Sequence, residues 1–110
     1  MLKLNKIYNM DVVDFLQSID ENSVDFIITS PPYNCGIDYD SWNDNLKWDD
    51  YLKWCEKWFI ECYRILKDDG RMAINHYINL HEKGGNSRFP LMNFRNIQQK
   101  IGIHPYKLII

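Results

Sequence analysis

The sequence predicts an α/β fold built on a mostly parallel sheet. Two observations carry this prediction. Apolar runs of strand length alternate with stretches of helical periodicity along the 110 residues, and the most hydrophobic run is separated from the next strand by a helix. Strands joined through a helix pair in parallel by a right-handed crossover. A hydrophobic content of 45% suffices for one small core, so the sequence predicts a single domain over residues 1–110.

The first half of the chain is expected to hold two strands and a helix before a long loop. Residues 4–8 form a short apolar-leaning run that predicts a first strand, and residues 11–19 carry apolar side chains at helical spacing. Residues 24–29 are rich in β-branched residues and almost wholly apolar, which predicts a central strand buried on both faces. Residues 30–46 mix Pro, Asn, Gly and Asp with aromatic residues, as functional loops do.

The middle of the chain is expected to form a long helix and a strand. Residues 48–66 place their apolar side chains on one broad helical stripe. Residues 67–70 read Lys-Asp-Asp-Gly and predict the end of this helix, with Gly70 as a left-handed cap. Residues 71–77 then predict a further strand.

The last part of the chain predicts a loop, a helix and the start of a strand. Residues 79–88 are polar, contain Gly84-Gly85 and are expected to be mobile, whereas residues 90–101 have helical spacing. Residues 106–110 begin a fourth strand. Because domains seldom end on an apolar run, we expect a strand cut in mid-course, with a genuine terminal strand as the alternative.

Composition indicates a cytoplasmic protein without a membrane segment. No apolar run approaches the roughly 20 residues that cross a bilayer, and the N-terminus lacks the features of a secretory signal. Cys35, Cys55 and Cys62 are odd in number and form no Cys-x-x-Cys pair, so neither a disulfide framework nor a metal site is expected. The last two lie on the stripe of the long helix and are assigned to the core.

The charges are unevenly distributed along the chain. All 15 acidic residues lie within residues 1–82, whereas residues 83–110 carry five basic residues and no acid. This end would suit a phosphate backbone, and a solvated surface is the alternative that charge alone leaves open. The five basic residues are Lys83, Arg88, Arg95, Lys100 and Lys107.

The tetrapeptide Ser30-Pro31-Pro32-Tyr33 directly follows the most hydrophobic predicted strand. Ligands collect at the carboxyl ends of strands in an open parallel sheet, so the position suits a site. Consecutive prolines fix the backbone, and Tyr33 offers a flat ring. A stiff turn with a packing tyrosine is the other interpretation of the same residues.

Residues 29–34, Thr-Ser-Pro-Pro-Tyr-Asn, resemble the motif Ser/Asp/Asn-Pro-Pro-aromatic of DNA amino-methyltransferases that act on cytosine N4 or adenine N6. Residues 7–11 resemble the segment before that motif, with Met10 in place of the usual Gly, and residues 63–71 resemble the helix-to-strand junction after it. The resemblance implies a Rossmann-like methyltransferase sheet, incomplete at the C-terminus, in which residues 1–110 are the base-handling part of a catalytic domain.

The resemblance also implies roles for single residues. Ser30, Pro31, Pro32 and Tyr33 would be catalytic, and Asp11 would contact the cofactor S-adenosylmethionine. The Ser30 hydroxyl and the Pro31 carbonyl would accept both N–H bonds of the exocyclic amine, which localises its lone pair for methyl transfer. Tyr33 would offer a face to a base flipped out of double-stranded DNA.

Ser at the first motif position favours cytosine N4 as the methylated atom, with adenine N6 as the alternative. A non-catalytic fragment that binds DNA or a partner subunit is the alternative of another class. A homodimer and a cognate restriction endonuclease remain open as partners.

Further side chains could serve the site or the core. Asn34 could bond the base or cap its turn, and we weigh these equally. Tyr39 and Trp42 could line a base pocket or cover the sheet, whereas Trp48 and Tyr51 are assigned to core packing. A structural role is favoured for His76 over contact with cofactor or base.

No glycine-rich cofactor turn is visible in the sequence. The glycines at positions 36, 70, 84, 85 and 102 form no strand-Gly-x-Gly arrangement, so this turn is expected beyond residue 110. The chain alone is therefore expected neither to bind S-adenosylmethionine tightly nor to methylate DNA.

Overall fold

A computed structural model describes residues 2–81 and 87–109. The mixed α/β class and the parallel pairing of two strands across a helix are confirmed: β1 and β2 pair in parallel, whereas β3 and β4 form a short antiparallel pair. The elements in chain order are α1 (Val12–Gln17), β1 (Val24–Thr29), α2 (Trp48–Ile65), β2 (Leu66–Ile74), β3 (Leu80–His81), β4 (Ser87–Arg88) and α3 (Pro90–Ile101).

Helix α1 is short and depends on its cap. The Asp11 carboxylate accepts hydrogen bonds from the backbone N–H of Val13 at 2.9 Å and of Asp14 at 3.1 Å. The strand predicted over residues 4–8 is wrong, since no strand forms there in the described chain and Leu4 and Ile7 are 91% and 95% exposed. A run this short has no neighbouring strand to satisfy its backbone groups, so its apolar side chains alone do not make it a strand.

Helix α2 passes directly into β2 at Leu66, whose backbone is extended. The predicted helix end with Gly70 as a left-handed cap is wrong, because Gly70 lies inside β2 without a positive φ. The register shifts here: Val24 pairs with Leu66 and Phe26 with Arg71, so β2 carries extra residues opposite β1. The polar sequence marks this irregularity in the strand, not a helix stop. Strand β2 also ends at Ile74, short of the predicted boundary at residue 77.

Helix α3 has the predicted bounds. Pro90 occupies its first turn, and the left-handed Gly102, with a φ of 106°, ends it. The strand predicted from residue 106 does not form over residues 106–109, where the Tyr106 ring instead packs 4.1 Å from the Arg71 guanidinium. Residue 110 and the Gly84-Gly85 segment lie outside the described residues.

The core lies between the three helices and one face of the parallel pair. Helix α2 supplies most of it, and Cys55 and Cys62 are confirmed as core residues, since they are 0% and 3% exposed. Their burial raises the pKa of each thiol to about 12. The buried apolar side chains are Leu16, Tyr51, Cys55, Trp58, Phe59, Cys62, Ile65 and Phe94.

Strand β1 is covered on one face only. Val24 and Ile27 pack against the core, whereas Phe26 and Ile28 are 55% and 75% exposed. The prediction of a strand buried on both faces is therefore wrong for the described chain, because all three helices pack on the same side. None of the described helices is long and apolar enough to cross a membrane.

The same substitution should cost very different amounts of stability on the two sides of the sheet. Phe59 is fully buried, with its ring 4.1 Å from that of Trp58 and 5.2 Å from that of Phe94. We expect Phe59→Ala to lower the free energy of unfolding by about 3–5 kcal/mol because it leaves a cavity. Phe26→Ala, the same change on the uncovered face, should cost less than about 1 kcal/mol. Urea unfolding followed by circular dichroism measures both, and an equal loss would contradict the one-sided core.

Candidate functional site

The candidate site lies where β1 and β2 end side by side. Thr29 and Ile74 are the last paired residues of the two strands, and the Asn75 N–H donates to the Thr29 carbonyl at 2.9 Å. The motif beginning at Ser30 therefore leaves the sheet next to residues 75–77. Parallel pairing alone produces this arrangement, since it brings the carboxyl ends of both strands to one edge.

Three polar side chains meet at the start of the motif. The Ser30 Oγ and the Tyr33 hydroxyl are 2.5 Å apart, and the Asn75 Nδ2 donates to the Tyr33 hydroxyl at 2.9 Å. Ser30 is exposed, whereas Tyr33 is half-buried. With a hydrogen bond from Asn75, the Tyr33 oxygen is free to donate its own proton to Ser30, which leaves a lone pair on the Ser30 oxygen for another donor.

A second group of hydrogen bonds fixes the middle of the motif to helix α2. The fully buried Tyr51 donates its hydroxyl proton to the Pro32 carbonyl at 2.5 Å. Because that proton is committed, the 2.8 Å contact between the Tyr51 oxygen and His76 Nε2 requires an N–H on Nε2. Burial raises the pKa of the Tyr51 phenol, so it stays protonated.

The two proline carbonyls of the motif differ in their surroundings. The Pro32 carbonyl accepts from Tyr51, whereas no donor within residues 2–81 and 87–109 pairs with the Pro31 carbonyl. The two prolines restrict the backbone, and the bond to Tyr51 anchors it. Next to the exposed Ser30 hydroxyl, the motif therefore holds one fixed carbonyl that has no donor among the described residues, although Pro31 as a whole is buried.

Two aromatic rings pack against Tyr33. Its ring centroid lies 4.7 Å from that of His76 and 5.1 Å from that of Tyr77. The His76 ring also meets the edge of Phe94 at 5.0 Å, which connects the site to α3. Burial lowers the pKa of His76, so the neutral ring is favoured in the folded chain. These contacts agree with the structural role that the sequence analysis favours for His76.

The loop after the motif is closed by two polar side chains. The buried Asp44 carboxylate accepts from the N–H groups of Asn34 at 3.0 Å, Cys35 at 3.1 Å and Ile37 at 3.0 Å. The Asn34 amide donates to the Leu46 carbonyl at 2.9 Å and accepts from its N–H at 2.8 Å. Of the two roles weighed for Asn34, the structure shows the turn-closing one, and its φ of 58° is one that Asn tolerates.

The remaining aromatic candidates divide between core and surface. Trp48 stacks on Tyr51 at 5.1 Å and packs against the core, so the core assignment of both is confirmed. Trp42 packs on Trp54 of α2 at 4.5 Å, which fits a covering role. Tyr39 is 45% exposed in the loop.

Sequence reasoning missed three residues that hold the site. Tyr51 was assigned only to packing, although a buried tyrosine hydroxyl needs a partner and this need was a usable signal. Asn75 follows the strand next to the motif and could have been found from parallel pairing. Nothing in the sequence distinguishes the buried Asp44 from the exposed Asp38 and Asp40 of the same loop.

The chain is similar in sequence to known DNA methylases. The sequence model of a family of DNA methylases of N6 and N4 type matches residues 24–109. The chain is 45% identical over 64 residues to type II methyltransferase M.HpaI of Haemophilus parainfluenzae, covering 58% of this chain and 20% of that protein.

Two further relatives cover more of the chain. Type II methyltransferase M.MjaVI of Methanocaldococcus jannaschii is 39% identical over 84 residues, which is 74% of this chain and 43% of that protein. Type II methyltransferase M.BglII of Bacillus subtilis is 36% identical over 111 residues, which is 97% of this chain and 29% of that protein. The chain thus spans less than half the length of each of these relatives.

Asp44 offers a test of what closes the loop. Asp44→Asn leaves one acceptor oxygen for three N–H groups and turns an NH2 group toward donors, so we expect a loss of about 2–3 kcal/mol in stability. Amide exchange at Asn34, Cys35 and Ile37 should accelerate. Asp40→Asn makes the same charge change on an exposed side chain of the loop and should leave these amides protected. Equal exchange in the two variants would show that the carboxylate does not hold the loop.

His76 gives the folded chain a dependence on pH. Because burial lowers its pKa, the unfolded chain protonates first as the pH falls below the ordinary histidine value of about 6.5. The free energy of unfolding should therefore be highest above that pH and decrease below it. The Tyr77 carbonyl and the Asp44 charge oppose this shift but are smaller effects. Urea unfolding at a series of pH values tests this, and His76→Gln should flatten the profile; greater stability in acid would contradict it.

Proposed function

Because this chain belongs to the family of N6- and N4-type DNA methylases, we propose that it is the base-handling part of an enzyme that transfers a methyl group from S-adenosylmethionine to the exocyclic amine of a DNA base. The observation that supports this most is the edge formed by β1 and β2. There the exposed Ser30 hydroxyl and the Pro31 carbonyl, which has no donor among the described residues, lie on a backbone that Tyr51 anchors through Pro32.

The chemical task of such a site is to make a poor nucleophile reactive. The lone pair of an exocyclic amine is delocalised into the ring of the base. Two acceptors that receive both N–H bonds favour a tetrahedral nitrogen, whose lone pair then points out of the ring plane toward the methyl donor. We assign these acceptor roles to the Ser30 Oγ and the Pro31 carbonyl.

The hydroxyl of Tyr33 supports the role of Ser30. When Tyr33 donates to the Ser30 Oγ, one Ser30 lone pair is occupied and the other remains for the amine of the base. Asn75 is compatible with this direction, because its donation to the Tyr33 oxygen leaves the Tyr33 proton available for Ser30. Since an unperturbed serine is a weak base, Ser30 accepts a hydrogen bond and the proton leaves the amine after methyl transfer.

Tyr33 has a second proposed role. His76 and Tyr77 pack against its ring, which holds the ring in place at the edge of the sheet. We propose that the base, once flipped out of double-stranded DNA, packs against the part of the ring that these neighbours leave uncovered.

We propose that the described residues supply only part of the pocket for S-adenosylmethionine, the source of the methyl group. Among them, the glycines with positive φ are Gly36 and Gly102, and neither follows β1 or β2 as a cofactor turn would. Asp11 uses one carboxylate oxygen, Oδ1, to cap α1. It remains our one proposed contact to the cofactor, through its other oxygen.

We propose cytosine N4 as the atom that is methylated, because the first motif position is Ser30. Adenine N6 is the competing product, and the matched family includes both specificities. The type II relatives support double-stranded DNA as the substrate and a cognate restriction endonuclease as the biological partner. A cytoplasmic location and a homodimer are part of the same proposal.

Function can be tested in a chimera with M.BglII methyltransferase, because that relative aligns with 97% of the chain. Residues 1–110 replace the matched segment, and nucleosides from treated DNA are identified by mass spectrometry. We expect methylcytosine with the methyl group on N4. Ser30→Ala should lower the single-turnover rate about tenfold to a thousandfold, as the loss of one positioned hydrogen bond does elsewhere. Tyr33→Ala should also suppress transfer, and Tyr33→Phe tests the hydroxyl alone.

Lys53→Ala, an exposed change on α2, is the matched control and should leave the rate unchanged. Calorimetric binding of S-adenosylmethionine shows that each chimera is folded. A folded Ser30→Ala chimera with an unchanged rate would contradict the role of Ser30, and methyladenine as the product would overturn the assignment to cytosine.

A further inference from the structure

The two prolines of the motif separate the two halves of the proposed site. On one side lie the acceptors assigned to the amine, which are the Ser30 Oγ and the Pro31 carbonyl. On the other side lies the Tyr33 ring, which is assigned to the flipped base. Methyl transfer requires both halves to hold the same base at once, so their relative position matters as much as either half alone.

Few backbone torsions decide that relative position. The ring of each proline fixes its own φ, and a residue before a proline is restricted in ψ, which applies to Ser30 and Pro31. The torsion left without such a restraint is ψ of Pro32, because a tyrosine follows it. Rotation about this bond moves the Pro32 carbonyl and the Tyr33 nitrogen together, since both belong to one peptide plane. Whatever holds the Pro32 carbonyl therefore also places the backbone of Tyr33.

The Tyr51 hydroxyl holds that carbonyl, with 2.5 Å between the two oxygens. Tyr51 is fully buried on α2, and its ring stacks on that of Trp48 at 5.1 Å with 22° between planes. Trp48 is in turn tied to α3, because its Nε1–H donates to Asn93 Oδ1 at 3.2 Å. Packing and hydrogen bonds thus lock the ring that carries the hydroxyl, which is what a group that aligns a site requires.

His76 connects the same hydroxyl to the Tyr33 side chain. Its Nε2–H donates to the Tyr51 oxygen at 2.8 Å, and its ring centroid lies 4.7 Å from that of Tyr33. Tyr51 therefore reaches Tyr33 by two routes. The Pro32 carbonyl places the backbone of Tyr33, and His76 supports its ring.

We propose that Tyr51 is a positioning residue for methyl transfer. By holding the Pro32 carbonyl, its hydroxyl keeps the Tyr33 ring aligned with the two acceptors of the amine. In this role Tyr51 contacts neither the base nor the cofactor, so its loss disturbs the alignment of the base and not the binding of S-adenosylmethionine. The inference rests on the proposed function, which assigns the base to the motif.

Single-turnover kinetics of the M.BglII chimera test this with Tyr51→Phe, which keeps the buried ring and removes the hydroxyl. The rate should fall about tenfold to a hundredfold, as a small displacement of aligned groups causes elsewhere, whereas the Kd of S-adenosylmethionine should stay the same. Tyr63→Phe removes the hydroxyl of an exposed tyrosine on the same helix and should change neither value. An unchanged rate in Tyr51→Phe would overturn the proposal.

A double-mutant cycle separates alignment from a general structural role. Once Tyr33→Ala has removed the ring, its alignment no longer matters, so adding Tyr51→Phe should lower the residual rate by no more than about twofold. Phe59→Leu changes the part of the core formed with Trp58 and Phe94, and should leave the rate of the folded chimera unchanged in both backgrounds. Equal fold-losses from Tyr51→Phe with and without the Tyr33 ring would contradict the alignment.

A backbone change covers the case in which Tyr51→Phe does not fold. Replacing Tyr33 by its α-hydroxy acid turns the amide after Pro32 into an ester, whose carbonyl is a weaker acceptor, and keeps every side chain. The Tyr33 N–H that is lost makes no hydrogen bond within residues 2–81 and 87–109. The ester should lower the rate about twofold to tenfold, the effect of weakening one hydrogen bond. An ester chimera as fast as the amide form would also overturn the proposal.

Nuclear magnetic resonance of the 110-residue chain separates this inference from the proposed function. The Tyr33 ring signals report its position without catalysis, because the rings of His76 and Tyr77 lie against it. Tyr51→Phe should move these signals, and Tyr63→Phe should not. Moved signals together with an inactive parent chimera would overturn the proposed function and support the hold of Tyr51 on Tyr33. Unmoved signals together with an active parent chimera would overturn the inference and support the function.

Discussion

The structure of the site depends on one buried phenol. Tyr51 belongs to the apolar stripe of α2, yet its hydroxyl donates to the Pro32 carbonyl and accepts from His76. Within the described residues the stripe is deeply buried, since Tyr51 and Phe59 in it are fully buried. Through this one hydroxyl the core anchors a backbone segment that lies outside any helix or strand. The motif is therefore an extension of the core, although it lies in a loop.

The loop beyond the motif is held by different means. Asp44 gathers three N–H groups and Asn34 bridges to both backbone atoms of Leu46. Charge-assisted and paired hydrogen bonds of this kind replace the apolar contacts that a loop of exposed residues cannot make. Tyr51 holds the motif through Pro32 and Asp44 holds the chain after it, so the backbone of the motif is fixed while Ser30 stays exposed.

The sequence predicted the features that follow from local periodicity, such as helix bounds and core positions. It missed the features that depend on contacts with segments distant in sequence, such as strand register. The bounds of α3 follow from Pro90 and Gly102, and the core positions of Cys55 and Cys62 follow from helical spacing. The Gly70 cap failed because the polar run before it suits a shifted register between two strands as well as it suits a helix end. Register is set by the partner strand, which spacing along one chain does not reveal.

The residues of the candidate site also differ in how far the sequence predicts them. Its motif was visible because it is contiguous, whereas its supports come from residues 44, 51 and 75, which only the fold brings to it.

The uncovered face of β1 follows from where the helices pack. Helices α1, α2 and α3 all contribute to one core on one side of the parallel pair, and Phe26 and Ile28 lie on the other side. The candidate site does not depend on that face, because each hydrogen bond that fixes the motif comes from α2 or from the end of β2. The hydrogen bonds of the candidate site therefore do not require the exposed face of β1 to be covered. The geometry of the candidate site is thus set by residues on the covered side of the sheet.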